Sequence, residues 1–293
     1  MESLFIQQVL NGLIIGSIYS LIAVGLTMIF GVMKISNFAH GDYSMVGAYT
    51  AVFVLAWIPG WMGWVGSVIA AAAVVGLLGI VTERLVFRPL MTRWTHIDTI
   101  MVSIGLFILL ENLAQLFFGA TPRMLEDPFG NATVNMGVAS TSVLRLFCLA
   151  LSVITIMLLQ IFLNRARVGV AIQATSQNRF AAQLMGINID FVYMLTLALG
   201  AALAGVGGVL YGTLFAVHPL MGAMPTLKAF IVTILGGMGN IRGAIFGGFI
   251  LGVAESLGGS YIAMEYKHAI GFFIIILVLL IRPSGLFGQK EGT

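Results

Sequence analysis

Charge is what this sequence has least of. Charged side chains make up 9% of 293 residues, against about 25% in an ordinary soluble domain. That is too few to cover a water-soluble surface of this size. Apolar residues make up 59%, so lipid is expected to be the main solvent. Two stretches, Ser3 to Met33 and Tyr43 to Thr82, carry no ionisable side chain except tyrosine. A membrane helix needs about 20 such residues, so the second stretch holds two spans, with Pro59-Gly60 as the turn. The apolar–polar alternation of a transmembrane barrel is missing. The single cysteine, Cys148, excludes an internal disulfide and is silent about compartment. Met1-Glu2-Ser3 offers no basic n-region, and the apolar run behind it is too long for a signal peptide.

Chemical motifs are missing as well. There is no GxxxxGK[ST] phosphate loop, no His/Glu metal pair at i, i+4 and no GxSxG elbow. No catalytic residue, metal site or cofactor is expected. The net charge of +3 lies in loops beside spans and makes no nucleic-acid surface. Ionisable residues deep in spans usually mark ion-coupled transport. The candidates are Glu111, in "LFILLENLAQLFF", and Glu255. Each is either a partner for backbone or a neighbouring helix, or an ion site, and both readings stand.

The charges that are present sort themselves by side. Arg84, Arg88 and Arg93 form one basic group, Arg165, Arg167 and Arg179 a second, Arg282 and Lys290 a third. Positive loops stay in the cytoplasm. The 120–141 loop, where Glu126 and Asp127 offset Arg123, reads as external. Spans are therefore expected near 6–30, 40–57, 62–82, 98–118, 143–163, 191–217 and 266–282, with the N-terminus outside and the C-terminus inside. "AFIVTILGGMGNI", 229–241, is bracketed by Lys228 and Arg242. At 1.5 Å per residue it reaches only about 20 Å of a core about 30 Å thick. Together with the short Gly-rich run 243–258 it reads as one discontinuous hairpin, 225–258, since broken helices of this kind line transporter cavities. The fold class is all-α: a polytopic membrane protein of about eight helices in a single domain, 1–293, with broken or re-entrant half-helices. Small residues four apart (Gly12/Gly16, Ala204/Gly208/Gly212, Gly243/Gly247, Gly248/Gly252) suit tight helix packing or a moving helix interface.

"NRFAAQLMGIN" places Ala181-Ala182 four residues before Gly186. This resembles the EAA-x3-G loop of importer permeases, with Phe180 where the Glu stands. "GSIYSLIAVGLTMIFGVMKISNFAHGDYSMVGAY", "ERLVFRPL", "LKAFIVTILGGMGNIRGAIFGGFILGVAES" and "RPSGLFG" extend the resemblance over nearly the whole chain. They resemble the branched-chain amino acid ABC transporter permeases, particularly the smaller of the two permease subunits. The resemblance implies a bacterial inner-membrane importer subunit working with a second homologous permease, two cytoplasmic ATPases that use the ATP, and a periplasmic binding protein. Relatives that carry urea, short amides or aromatic acids leave substrate more open than family. It also implies a cytoplasmic coupling helix at about 170–187, with Ala181, Ala182 and Gly186 against the ATPase and Arg179 at its rim.

"NFAHGDYSMVGAYTAV" and "HPLMGAMPTLKAFIVT" each set a polar or Gly/Pro break before an apolar helix. One reading makes them two half-helix starts facing the path, where free N–H groups meet a carboxylate. Asn37, His40, Asp42, Ser44, Gly222 and Thr226 would then line the route, and Asn37, His40, Ser44 and Thr226 would be open to water-soluble thiol reagents once changed to cysteine. The other reading makes 34–42 a cytoplasmic loop with Asn37 as an N-cap.

Overall fold

The computed structural model describes residues 2–91, 96–135, 137 and 139–288; Arg93 and Lys290 of the basic groups lie outside them. Among the described residues, seven helices are long and apolar enough to cross a membrane. In chain order the first elements are α1 (Glu2–Met33), α2 (His40–Trp57), α3 (Gly60–Thr82), the four-residue α4 (Arg88–Met91) and α5 (His96–Phe118). Next come β1 (Thr133–Asn135), β2 (Ser140–Ser142), α6 (Val143–Arg165), α7 (Arg167–Gln177) and α8 (Arg179–Leu184). The chain finishes with α9 (Ile189–Leu214), α10 (Ala223–Gly236), α11 (Ile241–Tyr261) and α12 (Lys267–Ile281). The all-α class holds, with one small antiparallel β1–β2 hairpin in the loop before α6.

Polar residues at the breaks explain the boundaries. Asn178, Asn188 and Asn240 each turn a side-chain oxygen back onto the first turn of α8, α9 and α11, at 2.9, 3.1 and 3.1 Å. Such a cap contributes about 1 kcal/mol. The α3 helix does not stop at Thr82. A π-turn, Glu83–Phe87, carries it into α4, and buried Glu83 pairs with Arg88 at 3.0 Å.

The α1 helix is the central post, with 83% of its most apolar window buried, against 22% for α5 and 6% for α12. Its main partner is α11. A Cβ added to Gly16 would lie 2.8 Å from the Gly248 carbonyl, and one on Gly12 only 2.9 Å from the Gly252 carbonyl. The small residues of 12–16 and 248–252 thus face one another across a single seam and let two backbones touch.

Three expectations are corrected. The 225–258 region is not one broken hairpin: α10 is short, at 14 residues, but α11 is a full 21. Its start is set by Asn240, so Arg242 sits inside its first turn. Lys228 does not bracket the apolar run but lies within α10, 1% exposed. The last expected residues of span 191–217 leave α9 and run extended, where Val217 pairs with Arg123 of the 120–141 loop at 2.8 Å in both directions.

Candidate functional site

The two sequence breaks meet. The first turns of α2 and α10 cross where the Thr226 hydroxyl accepts the Gly41 N–H at 3.0 Å, its own proton lying toward the carbonyls of Gly222 (3.0 Å) and Phe38 (3.3 Å). Gly41 and Gly222 make this approach affordable: a Cβ on Gly41 would overlap the Gly222 carbonyl and the Thr226 hydroxyl, and one on Gly222 the Asp42 carboxylate. His40 Nε2–H donates to the Ile22 carbonyl at 2.9 Å. That carbonyl lies near the middle of α1, so α2 begins deep within the bundle.

Asn37, His40, Asp42 and Ser44 are all fully buried, and Thr226 is 8% exposed. Residues 37–42 are therefore not a solvated loop. Nor do they form an open lining, since α1, α9 and α10 cover them. Asn37 is not the N-cap; its side-chain oxygen accepts the Ala39 N–H at 3.1 Å, one turn-forming bond before the helix. The expected free N–H groups are engaged, His40 N–H with the Asn37 carbonyl and Gly41 N–H with Thr226. What is left unpaired around the α2 start is side chain: Asn37 Nδ2, His40 Nδ1, both Asp42 oxygens and Ser44 Oγ. Buried polar atoms in native proteins are nearly always partnered. Five such atoms gather at this one helix start.

Beside the crossing lies an apolar cavity of about 420 Å³. Phe38, Phe230 and Phe272 line it, Thr226 gives it its polar rim, and α5 and α12 form its walls. The Phe38 and Phe230 rings meet at 4.7 Å between centres, tilted by 31°. Behind it, Lys228 forms an ion pair with Glu255 of α11, and Tyr19 of α1 donates to the other carboxylate oxygen at 3.4 Å. This engagement answers the question about Glu255: it binds a neighbouring helix. Neither Lys228 nor Tyr19 was read from sequence as its partner. Only the pairing rule for buried charge points that way, and it does not say with whom. Glu111 sits on α5, away from this pair.

The α7–α8 segment follows the expected coupling position but divides at Asn178. Gly186 ends α8 with φ +82°, and the Ile187 and Met185 amides close on the carbonyls of Ala182 and Ala181 at 3.1 Å each. A left-handed residue after a helix is the usual place for glycine. Ala182 is buried against its own chain, whereas Ala181 and Gly186 are exposed. Arg179 lies over the Tyr193 ring at 5.3 Å. Sequence reasoning noted Phe180 and passed over Leu184 and Met185; in that order the three are 70%, 72% and 84% exposed. Their i, i+4, i+5 spacing was the available signal.

The chain matches the family described as "Branched-chain amino acid transport system / permease component" over residues 8–279. It is 36% identical to the high-affinity branched-chain amino acid transport system permease protein LivH of Escherichia coli K12, covering 98% of this chain and 96% of that one. It is 34% identical to BraD, the corresponding permease protein of Pseudomonas aeruginosa, with 98% and 97% covered. Among solved structures, PsaBC from Streptococcus pneumoniae in complex with Fab matches with a TM-score of 0.50 at 14% identity, over 94% of this chain and 91% of that one; this likeness speaks to fold alone. A helical bundle with two helix starts crossing at its centre, matched from end to end by these sequences, belongs to the branched-chain amino acid transport system permease family.

Proposed function

We propose that this chain is one membrane half of an ATP-driven importer for branched-chain amino acids, paired with a second homologous permease. Two ATPase subunits engage the α7–α8 side, and an external binding protein delivers substrate to the opposite face. The N-terminus lies outside and the C-terminus in the cytoplasm, in the inner membrane. The observation that carries the reading is the α2–α10 crossing beside an apolar cavity. In the state described it acts as a seal, held by the Gly41–Thr226 hydrogen bond and the Thr226 contact to the Phe38 carbonyl. When α10 shifts, the polar side chains at the α2 start meet the zwitterion's charged ends, and the cavity takes its aliphatic side chain. Binding is weak by design, because a conduit that held its cargo tightly would release it slowly.

Ala223 is exposed at the cavity, so Ala223→Trp fills it without disturbing the core. Leucine uptake by the reconstituted transporter should fall about tenfold or more, equivalent to about 1.4 kcal/mol, because the indole occupies the space the cargo would cross, while ATPase subunits still co-purify. Undiminished leucine uptake by Ala223→Trp would remove the cavity from the route.

The coupling surface has its own test. Leu184→Asp/Met185→Asp places two carboxylates on exposed apolar positions, so the permease should fold normally and lose the ATPase in co-purification. Gly186→Trp should do the same by straining a left-handed residue, at about 1–2 kcal/mol. Intact assembly in both variants would move the contact elsewhere.

A further inference from the structure

On the opposite side of the bundle, α6 and α11 both pack on α1 but diverge from each other. The cleft between them is a groove of about 600 Å³. Its walls are apolar, from Val153 and Met157 on α6 to Ile245 and Phe249 on α11. Its mouth is not. Arg165 ends α6, Arg242 opens α11, and Gln160 and Asn164 stand beside them. Among the described residues the ion pairs are Arg88–Glu83 and Lys228–Glu255, so neither of these guanidiniums has a carboxylate in reach. Both are exposed.

The dimensions are those of a lipid. From Val153 to Arg165, α6 rises about 18 Å at 1.5 Å per residue, close to the ~15 Å of one hydrocarbon leaflet. The arginines therefore sit at headgroup level when the groove sits at acyl-chain level. They belong to the end of the bundle that carries α7, where the basic residues gather. Two unpaired guanidiniums over an apolar slot match a phosphodiester with its chain below, because the planar fork suits phosphate oxygens and basic pockets between membrane helices hold anionic headgroups.

We infer that the α6–α11 groove is a binding site for an anionic phospholipid, its acyl chain between the two helices and its phosphate on Arg165 and Arg242. The lipid fills the wedge that the α1–α11 seam leaves open and fixes the angle of α6, the helix from which α7 and α8 hang. The site is independent of what the transporter carries.

The test uses the assembled transporter in nanodiscs of mixed phosphatidylglycerol and phosphatidylethanolamine, with retained lipid counted by native mass spectrometry. The wild type should keep phosphatidylglycerol in preference by about thirtyfold, the scale expected of two basic contacts. Arg165→Gln/Arg242→Gln should bring that preference near unity, and Arg165→Lys/Arg242→Lys should restore part of it. Ile245→Trp, which fills the slot with both arginines intact, should lose the lipid as well. Equal retention of both lipids by the wild type, or unchanged preference in the double Gln variant, would overturn the assignment. So would cross-linking of Met157→Cys to the second permease, which would make the groove a subunit interface.

Discussion

Changing Lys228 alone to Met is expected to produce the largest loss of stability of any substitution at a single polar position in this chain. Lys228 and Glu255 are 1% and 0% exposed and joined in one ion pair. Removing one partner strands the other charge inside an apolar bundle, and in buried pairs that destabilises by about 3–5 kcal/mol. The Tyr19 hydroxyl, at 3.4 Å, is too weak a donor to hold the carboxylate by itself. Lys228→Met/Glu255→Met removes both charges and leaves apolar groups of similar length, so most of the loss should return. Thermal unfolding of the detergent-solubilised transporter, followed by size-exclusion fluorescence, reads both variants. If the single variant melts with the wild type, the pair does not hold α10 to α11. If the double variant is no better than the single, packing rather than charge carries the contact.

The second large effect is expected at Gly41. A valine there meets the Gly222 carbonyl and the Thr226 hydroxyl, and the carbonyl is backbone that cannot rotate aside. Uptake should fall to background. Gly105 supplies the control, because a Cβ there has no neighbour within 4 Å; Gly105→Ala should be silent or slightly stabilising, by up to about 1 kcal/mol. To separate packing from hydrogen bonding, Thr226→Ala leaves the buried Gly41 N–H without its acceptor, which costs about 1–3 kcal/mol, whereas Thr226→Ser keeps the acceptor. A transporter in which Thr226→Ala, Thr226→Ser and Gly41→Val all carry leucine at the wild-type rate would exclude the crossing from transport.

The spans were legible because lipid forbids charge, so every gap between ionisable residues longer than about 20 positions announces itself. Pro59-Gly60 marked the α2–α3 turn for the same reason, being the point where an apolar run could not continue as helix. The breaks at 37–44 and 222–228 were legible too, since polar residues and Gly/Pro interrupt otherwise apolar sequence. Facing was not legible. Lipid is as apolar as the bundle interior, so a membrane helix shows no greasy stripe to say which side turns inward. Only small residues carry that information, and Gly12 does not say that it faces Gly252. Lys228 misled for a related reason: a lysine beside an apolar run ordinarily snorkels to the surface, and its partner lies 27 residues away. The inward turn of Ala182 and the outward turn of Phe180 were likewise set by how α8 folds back on its neighbours, mainly α7, which two adjacent alanines do not reveal.

The α1–α11 seam sets the order in which the molecule can be built. The α1 helix leaves the ribosome first, yet the glycines it needs stand more than 230 positions later, at Gly248 and Gly252. At ribosomal speeds of about 5–20 residues per second, that is a delay of roughly 10–50 s. During that time the most deeply buried helix of the finished protein has only lipid or an insertase against its small-residue face. A nascent chain cut before α11 carries the α1 post and the helices up to α10, but not the helix against which that post mainly packs. Truncations in this region should therefore leave fully inserted, unassembled chains for the membrane proteases, and quality control can inspect the subunit only after about four-fifths of it has been synthesised.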